Sequence, residues 1–164
     1  MRTATHLVVA ALVATFALAL PAPRAAADVV PPDKAEEKAT PETFDSPTGG
    51  KVTLDLKHLE RRTLLVFAAN FCPICRRETP NFLKLAHDKK GELDVVGVVM
   101  DSERDAAKAY VDKQKLDYPT IWDPEWRFAM RFKVKSTPTL VLLAKDGTVE
   151  LVAPGLTPEL EKKL

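Results

Sequence analysis

The sequence predicts an α/β domain, a central mixed sheet with helices on both faces. Two observations carry this. Residues 63–68 (TLLVFA) and 93–100 (LDVVGVVM) are short continuous apolar runs, the mark of strands covered on both faces. The stretch between them repeats apolar side chains at helical spacing, so the three segments form a βαβ unit with a parallel strand pair. Further on, residues 139–144 and 148–153 are two strands joined through Lys145-Asp146-Gly147, a hairpin signal. Parallel and antiparallel strands therefore share one layered sheet.

The chain of 164 residues opens differently from the way it continues. Arg2 is followed by an apolar run from Leu7 to Leu20, then Pro21, Pro23 and the small residues Ala25-Ala26-Ala27. A basic start, a hydrophobic centre and an A-x-A site make residues 1–27 a secretory signal peptide, cleaved before Asp28. The apolar run falls short of the ~20 residues a membrane-spanning helix needs; an uncleaved anchor is the alternative. Export places the protein in an oxidising compartment, a periplasm or other extracytoplasmic space.

Residues 28–43 are rich in proline and charge and poor in large apolar groups, too little to offset ordering entropy, so they read as a flexible linker. Residues 44–164 then form one domain with room for a core. The whole chain carries 24 basic and 23 acidic side chains; Arg2 and Arg24 lie in the leader, so the mature charge is close to neutral. That balance argues against a nucleic-acid partner, which leaves a basic footprint.

Within the domain, residues 44–62 read as an N-terminal β extension, a strand pair turning at SPTGG, with Lys51-Val52-Thr53-Leu54 alternating as a half-buried strand does. The helix of the βαβ unit covers residues 73–89, with Phe82, Leu85 and Ala86 on one face and Pro80 inside it as a kink. Ser102 is placed to cap a helix reaching residue 115, with Ala107, Tyr110 and Val111 inward. A short extended piece at 118–122 follows. Asp123 then caps a helix with Pro124 at its first position, carrying Trp126, Ala129 and Met130 as its apolar stripe. After the hairpin, Thr157-Pro158 opens a last helix. Trp122 and Trp126 are read as packing residues, Met100 and Met130 as core, and His87 as solvated.

The only two cysteines are Cys72 and Cys75, in NFCPICRRETP. A structural disulfide three residues apart closes a tiny loop and gains little. A metal site needs about four ligands, and His58 and His87 lack partners at ligand spacing. Haem attachment needs histidine at position 76, which is Arg76. Dithiol–disulfide exchange explains more of the surroundings. The pair sits just after an apolar strand at a helix N-terminus, where free N–H groups and the dipole favour a thiolate at Cys72. Cys75 lies one turn on, placed to resolve a mixed disulfide.

Here the chain resembles the thioredoxin superfamily, and within it the TlpA/ResA-like periplasmic thiol–disulfide oxidoreductases. The matching residues are 65–75 (LVFAANFCPIC), Arg76-Arg77-Glu78, Pro80, Asp123-Pro124, Ser136-Thr137-Pro138-Thr139-Leu140 and Lys145-Asp146-Gly147. The resemblance implies a thioredoxin-like fold with Cys72 and Cys75 as catalytic residues and no cofactor. It implies that Pro138 is a cis-proline beside the pair. Phe71, Pro73, Ile74, Thr137 and Pro138 would then bind substrate, Thr137 pairing with an extended segment by strand addition. Two departures stand out. Phe71 replaces the usual tryptophan, and Val66 stands where thioredoxin has a buried acid, leaving the resolving cysteine's proton to water or to Glu78.

The resemblance points to a monomeric reductant of protein disulfides, fed by a membrane electron donor and serving cytochrome c maturation or general thiol reduction. A disulfide-forming oxidant is the first rival. A peroxiredoxin-like peroxidase wants threonine where Ala69 stands, and a copper-handling binding module wants a histidine downstream of His87.

Overall fold

The computed structural model describes residues 41–164. The leader and most of the linker lie outside the described residues. Residues 42 and 43, assigned to the linker, open the first strand instead. The β extension is a hairpin of β1 (Glu42–Asp45) and β2 (Lys51–Leu54), paired antiparallel.

The central sheet has five strands among the described residues, in the order β5-β4-β3-β6-β7. They are β3 (Arg62–Ala68), β4 (Leu93–Val99), β5 (Thr120–Trp122), β6 (Thr139–Leu143) and β7 (Val149–Ala153). β3 and β4 run parallel, as do β4 and β5; β6 and β7 run antiparallel to their neighbours. The central strands β3, β4 and β6 are buried almost throughout, which is why their sequences read as continuous apolar runs.

Alternation along β3 divides the core. Leu64 and Val66 face Phe82 of α1 (Pro73–Asp88) and Leu160 of α4 (Pro158–Lys163). Leu65 and Phe67 face the other way, toward Phe128 and Ala129 of α3 (Arg127–Arg131) and toward the hairpin. Phe44 meets Phe128 edge-on at 4.9 Å between centroids, and Phe132 meets Phe128 at 5.2 Å, an aromatic set that seats the hairpin on the sheet. α2 (Arg104–Gln114) packs beside α1 at the end of the sheet where β3 and β4 finish.

The order of elements agrees with the expectation, and the local differences have physical causes. The cap of α2 is Glu103, one residue past Ser102, and its side chain makes no capping bond. Asp123 does cap α3, but from a distance. Trp126 adopts left-handed backbone at φ +60, so the chain turns between Asp123 and the helix. The Asp123 carboxylate accepts N–H bonds from Phe128 (3.2 Å) and Ala129 (2.9 Å). Because α3 is a single turn and a half, Met130 points outward, 61 % exposed, rather than into the core; Met100 is fully buried as expected. At the other end of the sheet, Gly147 turns β6 into β7 at φ +80. A Cβ there would lie 1.9 Å from the Leu56 carbonyl oxygen, so only glycine allows this turn to close on the loop after β2.

Candidate active site

The peptide leaving β3 is short. Ala69, Asn70 and Phe71 carry the chain from the strand into α1, whose N-cap is Cys72 and whose first residue is Pro73. Cys72 and Cys75 are joined as a disulfide, their Cα atoms 5.3 Å apart. The Cys75 N–H points at Cys72 Sγ at 3.0 Å, so the sulfur occupies the place a capping oxygen takes at other helices. That N–H and the helix dipole are aimed at the atom that carries the negative charge when the pair is reduced. Cys72 retains 6 % exposure and Cys75 none. Cys72 is the less covered of the two, although it too is largely buried.

Part of the cover comes from the turn that leads into β6. Thr137–Pro138 is a cis peptide, as the resemblance implied. Thr139 Oγ1 donates to the Ser136 carbonyl at 2.7 Å and ties this turn to the strand. Thr137 O lies 3.5 Å from Cys72 Sγ; in the disulfide that sulfur has no proton, so this is a contact that becomes a hydrogen bond only in a protonated dithiol. Phe71 and Ile74 stand out from the surface on either side of Cys72, 62 % and 48 % exposed. The structure therefore gathers all seven singled-out residues: 71–75 along one segment, and Thr137 and Pro138 against it.

Behind the pair lies a buried polar chain. Thr79 Oγ1 donates to the Cys75 carbonyl at 2.7 Å, and its oxygen accepts the Tyr110 hydroxyl, also at 2.7 Å. Burial pushes the Tyr110 phenol above its ordinary ionisation range; the nearby Asp101 charge adds to this, and the Thr79 bond opposes it. The bond couples α1 to α2 directly beneath the resolving position.

The acid sought near Glu78 is otherwise engaged. Glu78 accepts from Asn81 Nδ2 (3.0 Å) and Arg77 Nε (3.2 Å), and these bonds hold its carboxyl below the usual range, which makes it a weak base. Arg76 donates its guanidinium to the Asn70 carbonyl. Sequence reasoning missed a third group: Asp101, 4 % exposed, whose Oδ2 accepts the Asn70 N–H at 2.7 Å. It missed the tryptophans' role as well. Trp122 Nε1 donates to the Asp101 carbonyl at 2.8 Å, and Trp126 Nε1 to the Met100 carbonyl at 3.1 Å. The available signal was position: Asp101 is the first charged residue after an apolar parallel strand, at the carboxyl end where α/β sites gather.

A cysteine pair capping a helix beside a cis-proline, on this sheet order, defines a thiol–disulfide oxidoreductase of the thioredoxin-like class. The Redoxin family profile matches residues 34–161, and the chain belongs to that family. A thioredoxin-like protein of Haemophilus influenzae is 35 % identical over 116 residues, covering 70 % of this chain and 67 % of the relative. Sporulation thiol-disulfide oxidoreductase A of Bacillus subtilis is 26 % identical, over 74 % of this chain and 78 % of its own. Among solved structures, a thiol-disulfide oxidoreductase of Bacteroides fragilis superposes with a TM-score of 0.63 at 20 % identity; the match covers 78 % of this chain and 100 % of that one.

Proposed function

We propose that this protein is an exported reductant of protein disulfides, with Cys72 as the attacking thiol and Cys75 as the resolving one. The observation that carries the assignment is the Cys75 N–H directed at Cys72 Sγ, with Cys75 wholly buried behind it. In the reducing direction the Cys72 thiolate attacks one sulfur of a partner disulfide. The partner's S–S bond breaks, a mixed disulfide forms and one partner thiolate leaves. Cys75 then loses its proton and attacks Cys72 Sγ, releasing the second partner thiolate and closing the Cys72–Cys75 bond. Two electrons have passed to the partner, and its two sulfurs take up protons from Cys75 and solvent. Returning to the dithiol requires two electrons from a membrane dithiol donor.

Phe71, Pro73 and Ile74 supply the apolar rim on which the partner rests, and Thr137 and Pro138 the edge along which its chain extends. Export rests on the leader of residues 1–27. Among the described residues no helix is long and apolar enough to cross a membrane. We read the working form as a monomer in the periplasm, with cytochrome c maturation or general thiol reduction as its setting.

The test is equilibration in glutathione buffers followed by acid trapping and a thiol count by mass. A potential near −270 mV, roughly that of thioredoxin, is expected. A value near −120 mV, roughly the strong-oxidant end, would reverse the direction of electron flow. Cys72→Ser should abolish exchange, while Cys75→Ser should accumulate the mixed disulfide with glutathione. Mixed disulfide on Cys75 in Cys72→Ser at the wild-type rate would overturn the assignment of roles.

A further inference from the structure

We propose that Asp101 is a positioning residue of the redox loop and that its buried charge biases the cysteine pair toward the reducing side. The proposal rests on the reading of Cys72 and Cys75 as the exchanging pair. The Asn70 peptide, two residues ahead of Cys72, has both its polar groups held by side chains from different elements. Its N–H goes to Asp101 Oδ2 at 2.7 Å, at the end of β4; its carbonyl receives the Arg76 guanidinium from α1. Asp101 is in turn fixed from below. The Met100 N–H donates to the Ala68 carbonyl at 3.0 Å, and the two indoles hold the carbonyls of Met100 and Asp101. The segment from Ala68 to Cys72 is thus seated on a braced carboxylate.

A carboxylate at 4 % exposure is a costly placement if its only task is to accept one backbone N–H, since an asparagine or serine accepts the same bond without charge. The charge itself has an effect here. Among the described residues Asp101 forms no ion pair. The groups around it are the Asn70 N–H, the Tyr110 phenol from α2 and the Arg76 guanidinium on the solvent side of α1; Arg104 stacks on Trp122, 5.2 Å from the ring centroid. A negative charge on the Asn70 peptide, two residues ahead of Cys72, opposes a second negative charge on Cys72. It therefore destabilises the reduced, thiolate-bearing form relative to the disulfide, and a pair whose reduced form is less stable gives up its electrons more readily. Asp101 lies two residues past the end of β4, the strand paired with the β3 strand that carries Val66.

The test uses the full-length chain with Asp101→Asn, which keeps the shape and the acceptor and removes the charge. In glutathione buffers at pH 8 the equilibrium should move toward the dithiol by about fivefold. Iodoacetamide should alkylate Cys72 of the reduced variant roughly threefold faster or more at neutral pH. If Asp101→Asn does not fold, Asp101→Ser removes the same charge and carries the same expectation. A variant with wild-type equilibrium and alkylation rate, or one shifted toward the disulfide, overturns the proposal. Failure of the wild-type pair to exchange with glutathione at all would instead overturn the reading beneath it.

Discussion

The two ends of the central sheet are built by opposite rules. Where β3 and β4 begin, charges are partly exposed and pair with one another, although Arg62 Nε is itself buried without a partner. Arg61 meets Asp94 at 3.0 Å on the wall of an open cleft of about 510 Å³, and Arg62 meets Glu150 at 2.6 Å. Backbone closes on backbone there: the Leu59 N–H bonds the Lys145 carbonyl at 2.9 Å, and Gly147 lies against Leu56. Where the same strands end, the pattern inverts. Large apolar side chains, Phe71 and Ile74, face solvent, while the carboxylate of Asp101 is buried and the polar chain of Thr79 and Tyr110 runs through the interior. Apolar groups belong inside and unpaired charges outside, so an end that breaks both rules at once is spending stability on something else. One end holds the fold; the other holds the chemistry.

If that division is right, damage at the first end should cost stability and leave the redox chemistry untouched. Gly147→Ala places a side chain on left-handed backbone and into a carbonyl, so unfolding in urea should show a loss of about 3 kcal/mol. The glutathione equilibrium of the folded variant should match wild type. A loss under about 0.5 kcal/mol, within the range of ordinary surface substitutions, would remove the structural end from the comparison.

Tyr110→Phe strikes the polar chain behind the pair. It leaves Thr79 with its donor bond to Cys75 but without the phenol, and should cost about 1–2 kcal/mol. It has a second signature at high pH. Burial raises the ionisation of Tyr110 and Tyr118 in the folded chain, whereas both ionise near their ordinary value once unfolded. Below that value neither state has lost a proton and stability is flat. Above it the unfolded chain holds fewer protons, so stability falls as pH rises, by at most about 1.4 kcal/mol per pH unit for each tyrosine. Urea midpoints measured across pH 8 to about 11 should show this decline, and Tyr110→Phe should make it shallower.

The smallest expected effect sharpens the other half of the comparison. Phe71→Ala removes an exposed ring at the rim. Stability should move within about 0.5 kcal/mol, since little is buried. Reduction of a protein disulfide such as insulin should slow by about tenfold in kcat/KM, as for the loss of a moderate interface anchor. Exchange with glutathione, too small to span the rim, should be unaffected. An equal loss with both substrates would mean that Phe71 acts on the sulfurs and not on the partner.

Much of this was legible in the sequence because it is local. The apolar runs of β3 and β4, the hairpin at Lys145-Asp146-Gly147 and the cysteines at the start of α1 are each decided by a few neighbouring residues. The cis-proline at 138 was legible only by resemblance, since nothing in its composition marks the isomer. What escaped depends on register between strands. Asp101 meets Asn70 because β3 and β4 run parallel with Ala68 opposite Val99, a pairing across 31 positions that no local pattern announces. The tryptophans read as packing because an indole's burial is visible in periodicity and its hydrogen-bond partner is not. Met130 was misplaced because a helix of five residues is too short for its stripe to define a face.

The two indoles have a practical consequence. They are the only tryptophans of the chain, and both donate to adjacent carbonyls beneath the redox loop, with Trp122 packed against the cluster that contains both cysteines. Disulfides quench indole emission at short range, so reduction of the Cys72–Cys75 bond is expected to raise the emission of Trp122, an outcome that a titration with a small dithiol would check. Turnover can then be followed in real time by light alone, with no label added to the surface that partners must touch.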